Sequence, residues 1–424
     1  MKLQMSETGS LSNKLIVALS TATAIVYFFS NPKPRNYDYT FRVAANMLGG
    51  SIAFTEKPPP WLNEFVPFEG VFYSVFPLGS VVSMMPIAFF KTLGLIKEMP
   101  GAWIAATLAG AACFLLLKIA SRYDVDNKKR ILFSLAILFG TFTWTNLTFA
   151  GAWQLALGFA LVGELGAIYF TVFDRRPLIA GVFFAMAFGN RTENLLTAPV
   201  FFYLLTRNGR DGGKRRKGEE ETGSEISIIT QIRNPQSAIR NLASFSAVPF
   251  VLGVATLVYN YVRFHSFTDF GYARIPGVLD EPWYRHGIFS VEYIPGQAWE
   301  MLLKLWNWQA TFPYIVPDGF SSSILLTSPF LLLALRVGAK NGGLKLASWV
   351  SIAVLTIVLW MHGNSGGWQF GYRYAMVLLP WIFVLLLESS KKRVSPVEWT
   401  LCIFSLVANA YATWLFNWTE YVKQ

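Results

Sequence analysis

Apolar runs of roughly bilayer length repeat along this chain and constrain its fold more than any other feature. An α-helix needs ~20 apolar residues to cross a bilayer, or ~17 at the short end. Charged residues make up only 14% of the 424 residues, against 53% hydrophobic ones, too few to cover a soluble surface. The sequence therefore predicts one all-α polytopic membrane module over residues 1–424. The runs cover residues 14–30, 74–95, 101–120, 131–149, 152–173, 178–206, 245–263, 322–337, 346–362, 374–389 and 397–416.

Most Lys and Arg residues lie in short links between these runs, a pattern typical of the cytoplasmic side of a membrane protein. The net charge of +11 is therefore interpreted as a topology signal rather than as a nucleic-acid surface. We expect the N-terminus to be cytoplasmic too, with run 14–30 as a signal anchor, because no small-residue cleavage site follows it. The basic links are residues 122–130, 175–176, 207–240, 336–345 and 391–393.

Two runs do not fit as simple crossings. An odd number of crossings must separate residue 30, outside, from residue 122, inside, so run 74–95 is predicted to lie on the outer face or to be re-entrant. Run 178–206 has basic residues at both ends, and its two arms of ~12 residues reach only ~18 Å each. We predict a broken or re-entrant helix pair there, with residues 190–194 at its tip. The alternative is one tilted helix with a buried Arg191–Glu193 pair. With the re-entrant pair, the bundle has about 11 transmembrane helices.

Three longer segments connect the runs. Residues 31–100 form the predicted first outer loop with juxtamembrane helices, and residues 264–321 form a second outer loop that is rich in aromatic residues. Those aromatics either stack on sugar rings or form a belt at the lipid interface. Residues 207–240 combine mixed charge with glycine, which predicts a flexible cytoplasmic link without a chemical role.

Asp38 is the candidate catalytic residue in the first outer loop. A carboxylate at the membrane face can act as a general base towards a hydroxyl group. The alternative is a helix N-cap, a common role of Asp, because the residues that follow share one apolar face.

Two arginines are candidate phosphate ligands. Arg191 lies at membrane depth beside Glu193, where ionisable residues are expensive and usually functional, and guanidinium presents a donor fork suited to phosphate. Arg373 follows the glycine-rich segment HGNSGGWQFGYRY, residues 362–374, whose glycines allow close backbone approach to a ligand. The alternatives are a structural Arg191–Glu193 pair and a glycine-rich turn with a snorkelling Arg373.

Further substrate contacts are predicted from the same outer segments. The glycine-rich segment supplies His362, Trp368 and Tyr372, while Glu193 belongs to the tip of the broken pair. The segment YNYVRFHSFTDFGY, residues 259–272, supplies Asn260, Arg263 and Asp269, with packing in an aromatic belt as the alternative.

Cofactor signals are weak in this sequence. Its three histidines have no spacing typical of a zinc site. There is no P-loop and no GxGxxG motif before a helix, so a cytosolic nucleotide-sugar mechanism lacks support. The sequence requires no cofactor, and a divalent metal stays an open but unsupported alternative.

Taken in order, several segments resemble the GT-C superfamily of membrane glycosyltransferases, especially its branch of protein O-mannosyltransferases and aminoarabinose transferases. The resemblance implies a polyprenyl-phosphate-sugar donor, an outward-facing site and Asp38 as the catalytic carboxylate of the first outer loop. That family often has a second carboxylate at the next position, where this chain has Tyr39. The matching segments are YDYTFRVAANML, YSVFPLG, FGTFTWTNLTFAGAWQ, AFGNRTENLLTAP, YNYVRFHSFTDFGY and GGWQFGYRYAMVLLP.

The functional expectation is sugar transfer from a polyprenyl-phosphate donor to a hydroxyl of a lipid, glycan or protein. It would occur on the non-cytoplasmic face of the plasma membrane, with inversion at the anomeric carbon. The rival is a multi-pass transporter or flippase of a lipid-linked sugar, since broken helices also occur in transporters. A structural membrane scaffold is a third alternative, but it leaves the intramembrane Arg191 and Glu193 unexplained.

Overall fold

The computed structural model describes residues 11–31, 37–207 and 235–422, which are mostly α-helical. The predicted cytoplasmic link at 207–240 therefore lies largely outside the described residues. Two short antiparallel hairpins, β1 (Phe65–Phe68) with β2 (Val71–Ser74) and β3 (Asn307–Trp308) with β4 (Ile315–Val316), are the sheet structure of the described ranges.

The helices follow the apolar runs, but several runs are divided by breaks. Short 3-10 segments at residues 192–197, 329–335 and 373–378 continue three of the divided runs. The α-helices are α1 (Asn13–Phe29), α2 (Tyr39–Leu48), α3 (Leu78–Thr92), α4 (Gly101–Ala120), α5 (Asn127–Phe139), α6 (Thr143–Phe149), α7 (Ala152–Ile168), α8 (Pro177–Asn190), α9 (Ala198–Thr206), α10 (Pro235–Phe264), α11 (Ile294–Leu302), α12 (Ile324–Thr327), α13 (Gly342–Met361), α14 (Leu379–Glu388) and α15 (Pro396–Trp418).

Within the described ranges, five helices are long and apolar enough to cross a membrane: α4, α7 with its π-helical end, α10, α13 and α15. The pair α5 and α6, bent by 50°, makes a sixth candidate. The polytopic, multi-pass helical character is thus supported, while the predicted count of about 11 is not reached by this measure. The physical reason is that the remaining runs are short or are interrupted by prolines and 3-10 segments, as at Pro329 and Pro380.

Several of the basic links meet at one end of the bundle, which we call the basic end. Lys129, at the start of α5, is fully buried, and its Nζ lies 3.0 Å from Oε1 of Glu398 at the start of α15. The same carboxylate oxygen accepts a hydrogen bond from Arg336 at 2.5 Å, and Lys129 also donates to the carbonyl of Lys391 at 2.7 Å. Links predicted to share the cytoplasmic side therefore contact one another.

Small residues let α8 pack closely between α7 and α10. A Cβ added at Gly163 of α7 would lie 2.6 Å from the amide nitrogen of Ala187, and one added at Gly181 would lie 2.1 Å from the carbonyl oxygen of Phe245. Such contacts are typical of helix pairs in membranes. Packed in this way, α8 ends at the end of the bundle opposite the basic end.

The segment after α8 turns back towards its own start. Arg191 leaves the helix, with φ −137° and ψ 98°. The Nη2 group of Arg175, which precedes α8, donates to the carbonyls of Leu204 and Arg207 at 2.6 and 2.9 Å. Because the 14 residues of α8 rise ~21 Å, a continuous helix would hold these groups far apart. The contacts support the broken, re-entrant pair and do not fit one tilted helix.

Both ends of α3 lie at the end of the bundle opposite the basic end. A Cβ at Gly79 would meet the backbone of Gly189, the last turn of α8, and the ammonium of Lys91 lies 5.4 Å from the ring centroid of Phe41 in α2. The contacts agree with a helix that lies along one face instead of crossing, as predicted for run 74–95.

Candidate functional site

A cavity of about 1250 Å³ opens at the end of the bundle opposite the basic end. We call this the cavity end. Its walls include five parts of the chain: the loop before β1, the start of α7, the break after α8, the loop after α10 and the glycine-rich segment after α13. These parts contribute Glu64, Trp153, Arg191, Tyr272 and Arg373 respectively.

Arg373 is a buried cation without an ionic partner. The residue is only 6% exposed, and no carboxylate of the described chain lies within the 4.0 Å of an ion pair. Its Nη1 donates to the carbonyl of Gly367 at 2.8 Å and its Nη2 lies 3.4 Å from the hydroxyl of Tyr374. Its Nε is buried and has no hydrogen-bond partner among the described residues. The guanidinium is therefore buried beside the cavity instead of snorkelling, and its Nε is the group left unpaired within the described ranges.

Gly366 allows the loop to close around this guanidinium. Its φ is +106°, a conformation that favours glycine, and a Cβ there would lie 3.0 Å from Nε of Arg373. The side chain of Asn364 accepts a hydrogen bond from the Gly366 amide at 2.7 Å and fixes the turn. The glycine-rich segment thus lies close to an arginine of its own chain.

Arg191 lines the same cavity but has a partner. Its Nη2 and Nε lie 2.8 and 2.9 Å from Oε1 of Glu193, and its guanidinium lies 4.7 Å from the ring centroid of Tyr374. On a continuous helix the side chains of residues 191 and 193 would point apart. They meet because the helix ends at Arg191 and a 3-10 segment begins at Thr192. The structural pair is therefore formed, and it competes with a phosphate ligand for Arg191.

Glu64 is a cavity residue for which the sequence offered no motif. Both of its carboxylate oxygens accept from the indole Nε1 of Trp153 at 2.8 Å. Burial raises the pKa of Glu64 to about 7, although the Trp153 hydrogen bond and the positive charge of Arg373 lower it. A half-buried carboxyl group that titrates near neutrality suits acid–base chemistry.

Trp153 is held by an aromatic cluster. Its ring centroid lies 5.5 Å from that of Tyr37 and 5.1 Å from that of Tyr39. The guanidinium carbon of Arg373 lies 5.9 Å from the same indole centroid. One fixed indole therefore contacts both Glu64 and Arg373.

Asp38 does not line this cavity. It lies at the N-cap position of α2 without a side-chain capping bond, and its Oδ1 pairs instead with Nε of Arg42 at 2.6 Å. The side chain is 14% exposed and faces a separate pocket of about 360 Å³ that Glu98 and Trp103 also line. The catalytic role of Asp38 stays a prediction, with an ion pair rather than a cap as the structural alternative.

Three other predicted contacts do line the main cavity: Asp269, His362 and Trp368. Asp269 is already engaged, because its Oδ2 lies 2.6 Å from Nε of Arg274. His362 Nδ1 lies 2.6 Å from the carbonyl oxygen of Asn364, which leaves Nε2 as the nitrogen for further contacts.

Asn260, Arg263 and Tyr372 are fully buried and line neither of the two pockets, and their role as substrate contacts stays a prediction. Arg263 donates to the main-chain carbonyls of Ser74 and Phe76 and to Oδ1 of Asn260 at 2.7 Å. Tyr372 donates to Gln297 at 2.8 Å. These hydrogen bonds join separate segments of the chain, which is the structural alternative to a binding role.

The aromatic residues of the second outer loop divide into two groups. Tyr272 and Trp283 line the cavity, whereas Trp299, Trp308 and Phe312 are exposed. Sugar stacking therefore suits the aromatic residues at the cavity, and an interface belt suits the exposed ones outside it.

Among the described residues, no group of three or more His, Cys, Asp or Glu side chains is placed to hold a metal ion. Comparison with known proteins adds no constraint, because no family model, no curated protein and no solved structure matches this chain.

Proposed function

We propose that this protein is a membrane glycosyltransferase. It moves a sugar from a polyprenyl-phosphate donor to a hydroxyl of a lipid, glycan or protein. One observation carries the proposal: among the described residues, the guanidinium of Arg373 is buried beside the cavity without an ionic partner, and its Nε has no hydrogen-bond partner. A buried charge without a partner is costly, so a ligand that supplies an anion is the natural complement.

A phosphodiester-linked sugar meets the chemistry of this cavity. Its phosphate matches the planar donor fork of Arg373, with Arg191 as a second cation once Glu193 shares it. A volume of about 1250 Å³ exceeds what a sugar phosphate occupies and leaves room for an acceptor. Tyr272 and Trp283 offer aromatic faces on which a sugar ring stacks.

The reaction is a single displacement. The acceptor oxygen attacks the anomeric carbon, and the bond between that carbon and the phosphate oxygen breaks. The electron pair stays on the departing polyprenyl phosphate, while a carboxylate takes the hydroxyl proton. Arg373 stabilises the charge that grows on the leaving phosphate. A single displacement without a covalent intermediate inverts the anomeric centre.

The proposal extends to topology. Eleven passes arise when the six candidate spans are joined by α1, the two arms α8 and α9, residues 324–335 and residues 373–388. This arrangement is GT-C-like, with juxtamembrane helices α2 and α3 at the cavity end. Because basic links favour the cytoplasm, the N-terminus and the basic end are cytoplasmic, and the cavity faces the outside of the plasma membrane.

The test uses the full chain in nanodiscs, incubated with a panel of polyprenyl-phosphate sugars and hydroxyl acceptors. The readouts are the released lipid phosphate and the glycosylated acceptor. We expect release with at least one donor, and at least tenfold weaker donor binding for Arg373→Gln, because a charge-assisted contact is worth about 1.5–3 kcal/mol. The matched control is Arg285→Gln, an exposed arginine of the second outer loop.

The rival function is also favoured by one observation, the broken pair α8 and α9, since half-helices line substrate sites in transporters. In liposomes, a flippase would move a labelled lipid-linked sugar to the opposite leaflet without releasing lipid phosphate. That result, with no donor in the panel cleaved, would overturn the transferase proposal.

A further inference from the structure

We propose that Glu64 is the carboxylate that accepts the proton of the acceptor hydroxyl. This inference rests on the proposed transferase function and names a catalytic residue for it, different from the Asp38 that the sequence indicates. Four features of the described residues lead to it, and each is a matter of geometry.

The first feature is the shared cavity. Glu64 and Arg373 both line the 1250 Å³ cavity, yet they do not form an ion pair within 4.0 Å. A carboxylate and a guanidinium that line one cavity without pairing can contact an acceptor hydroxyl and a leaving phosphate respectively. In-line displacement needs both groups, because the entering oxygen loses a proton while the departing phosphate gains negative charge.

The second feature is the fixed position of the carboxylate. The single N–H of Trp153 is shared between both oxygens of Glu64 at 2.8 Å. Trp153 is itself packed against Tyr37 and Tyr39, and its ring lies beside Arg373. Trp153 therefore fixes the position of the Glu64 carboxylate and also contacts Arg373.

The third feature is spare accepting capacity. An ionised carboxylate has about four lone-pair sites, and one shared N–H uses at most two of them. Within the described chain, Trp153 is the side chain that donates to the Glu64 carboxylate. The remaining lone pairs are available to a hydroxyl group in the cavity.

The fourth feature is the different situation of Asp38. Its Oδ1 is held by Arg42 at 2.6 Å, and it faces the smaller pocket beside Glu98 and Trp103. A proton transferred to Asp38 would displace that ion pair. The pKa of Glu64, about 7, agrees with the geometric argument, because a general base works best when its pKa lies near the operating pH.

In the proposed step the hydroxyl O–H bond breaks, its proton moves to an oxygen of Glu64, and the acceptor oxygen bonds to the anomeric carbon. The carbon–oxygen bond to the phosphate breaks at the same time, and its electron pair leaves with the polyprenyl phosphate. Glu64 then returns the proton to water, so no oxidant, reductant or further reactant is needed.

The experiment compares Glu64→Gln, Glu64→Asp and Asp38→Asn with the wild-type chain in nanodiscs. It measures donor binding, transfer rate and the pH dependence of kcat/KM for each. Glu64→Gln keeps the shape and the hydrogen-bonding oxygen, so we expect donor binding close to wild type. We expect its transfer rate to fall at least about 100-fold, the usual contribution of a general base. Its residual rate should lose the dependence on a group that titrates near neutrality, and Glu64→Asp should recover part of the rate.

Three outcomes would overturn the proposal. A Glu64→Gln protein that transfers sugar at the wild-type rate with the wild-type pH profile excludes Glu64 as the base. If Glu64→Gln lost both donor binding and sugar transfer, Glu64 would be a positioning residue instead of the base. Loss of transfer in Asp38→Asn alone would return the role to Asp38. If the wild-type chain itself cleaves no donor, the transferase function fails first, and that result is recognised without any variant.

Discussion

The indole N–H of Trp153 lies 2.8 Å from each carboxylate oxygen of Glu64, although 89 residues separate the two in the chain. The contact joins the first outer loop to the start of α7. The guanidinium of Arg373 lies 5.9 Å from the centroid of the same ring. A carboxylate and a guanidinium that line one cavity thus both contact a side chain that is packed against the rings of Tyr37 and Tyr39.

The pH dependence of transfer should report this contact. The base acts when it is deprotonated, so kcat/KM should fall as the pH falls through about 7, the pKa of Glu64. The Trp153 hydrogen bond lowers that pKa, so Trp153→Phe should raise it and move the acidic limb to higher pH. The measurement is a kcat/KM profile for both proteins, with Trp308→Phe, an exposed residue, as the control. An unmoved limb in Trp153→Phe would disconnect Glu64 from the rate.

The conformation of Gly366 should control donor binding. A Cβ there is strained by φ +106° and would press on Nε of Arg373 at 3.0 Å. We expect Gly366→Ala to weaken binding of a polyprenyl-phosphate sugar by about tenfold or more, the equivalent of ~1.4 kcal/mol, measured by titration in nanodiscs. Gly367→Ala is the matched control, because no atom lies within 4 Å of a Cβ built there. Equal binding in the two variants would contradict the role of Arg373.

Arg263 should matter for stability rather than for substrate contact. It is fully buried and donates to two carbonyls of the first outer loop and to Asn260. Each hydrogen bond to a charged group is worth about 1.5–3 kcal/mol, so Arg263→Met should lower the Tm in detergent by several degrees. Arg240→Met, an exposed arginine of α10, is the control. An unchanged Tm with lost turnover would restore the direct contact that the sequence predicted.

The re-entrant pair predicts which side of the membrane labels each position. In a chain with Cys113 and Cys402 replaced by alanine, single cysteines at Arg176 and Arg207 should react with an impermeant thiol reagent from the same side. A cysteine at Arg285 should react from the other side. The reason is that Arg175 contacts the carbonyl of Arg207 at 2.9 Å. Labelling of residues 176 and 207 from opposite sides would mean that α8 and α9 form one crossing.

The sequence predicted the general architecture well, because hydropathy is a local property that accumulates along a helix. The apolar runs became helices, the basic links at Lys129, Arg336 and Lys391 met at one end, and the break at Arg191 lay where the polar tip was expected. The number of uninterrupted spans was harder to predict. Proline and 3-10 segments divide apolar runs whose mean hydropathy stays high.

The predicted site residues stay predictions, and the structure shows which of them share the cavity. Arg373 could be singled out because a cation beside several glycines is unusual in an apolar setting. Glu64 could not, since a lone carboxylate in an aromatic loop has no pattern and its partner Trp153 is far away in sequence. The structural contacts of Arg263 could not be predicted, since the buried carbonyls to which it donates lie far away in the sequence.

By itself, then, the sequence predicted a multi-pass helical membrane protein with its polar candidates gathered in the segments between helices. Only the tertiary structure decided that Arg191 pairs with Glu193, that Asp38 pairs with Arg42, and that Glu64 and Arg373 share one cavity. The physical reason is one of range. Hydrophobic burial and helix periodicity act on neighbouring residues, whereas ion pairing and burial of a charge depend on which distant segments the fold brings together.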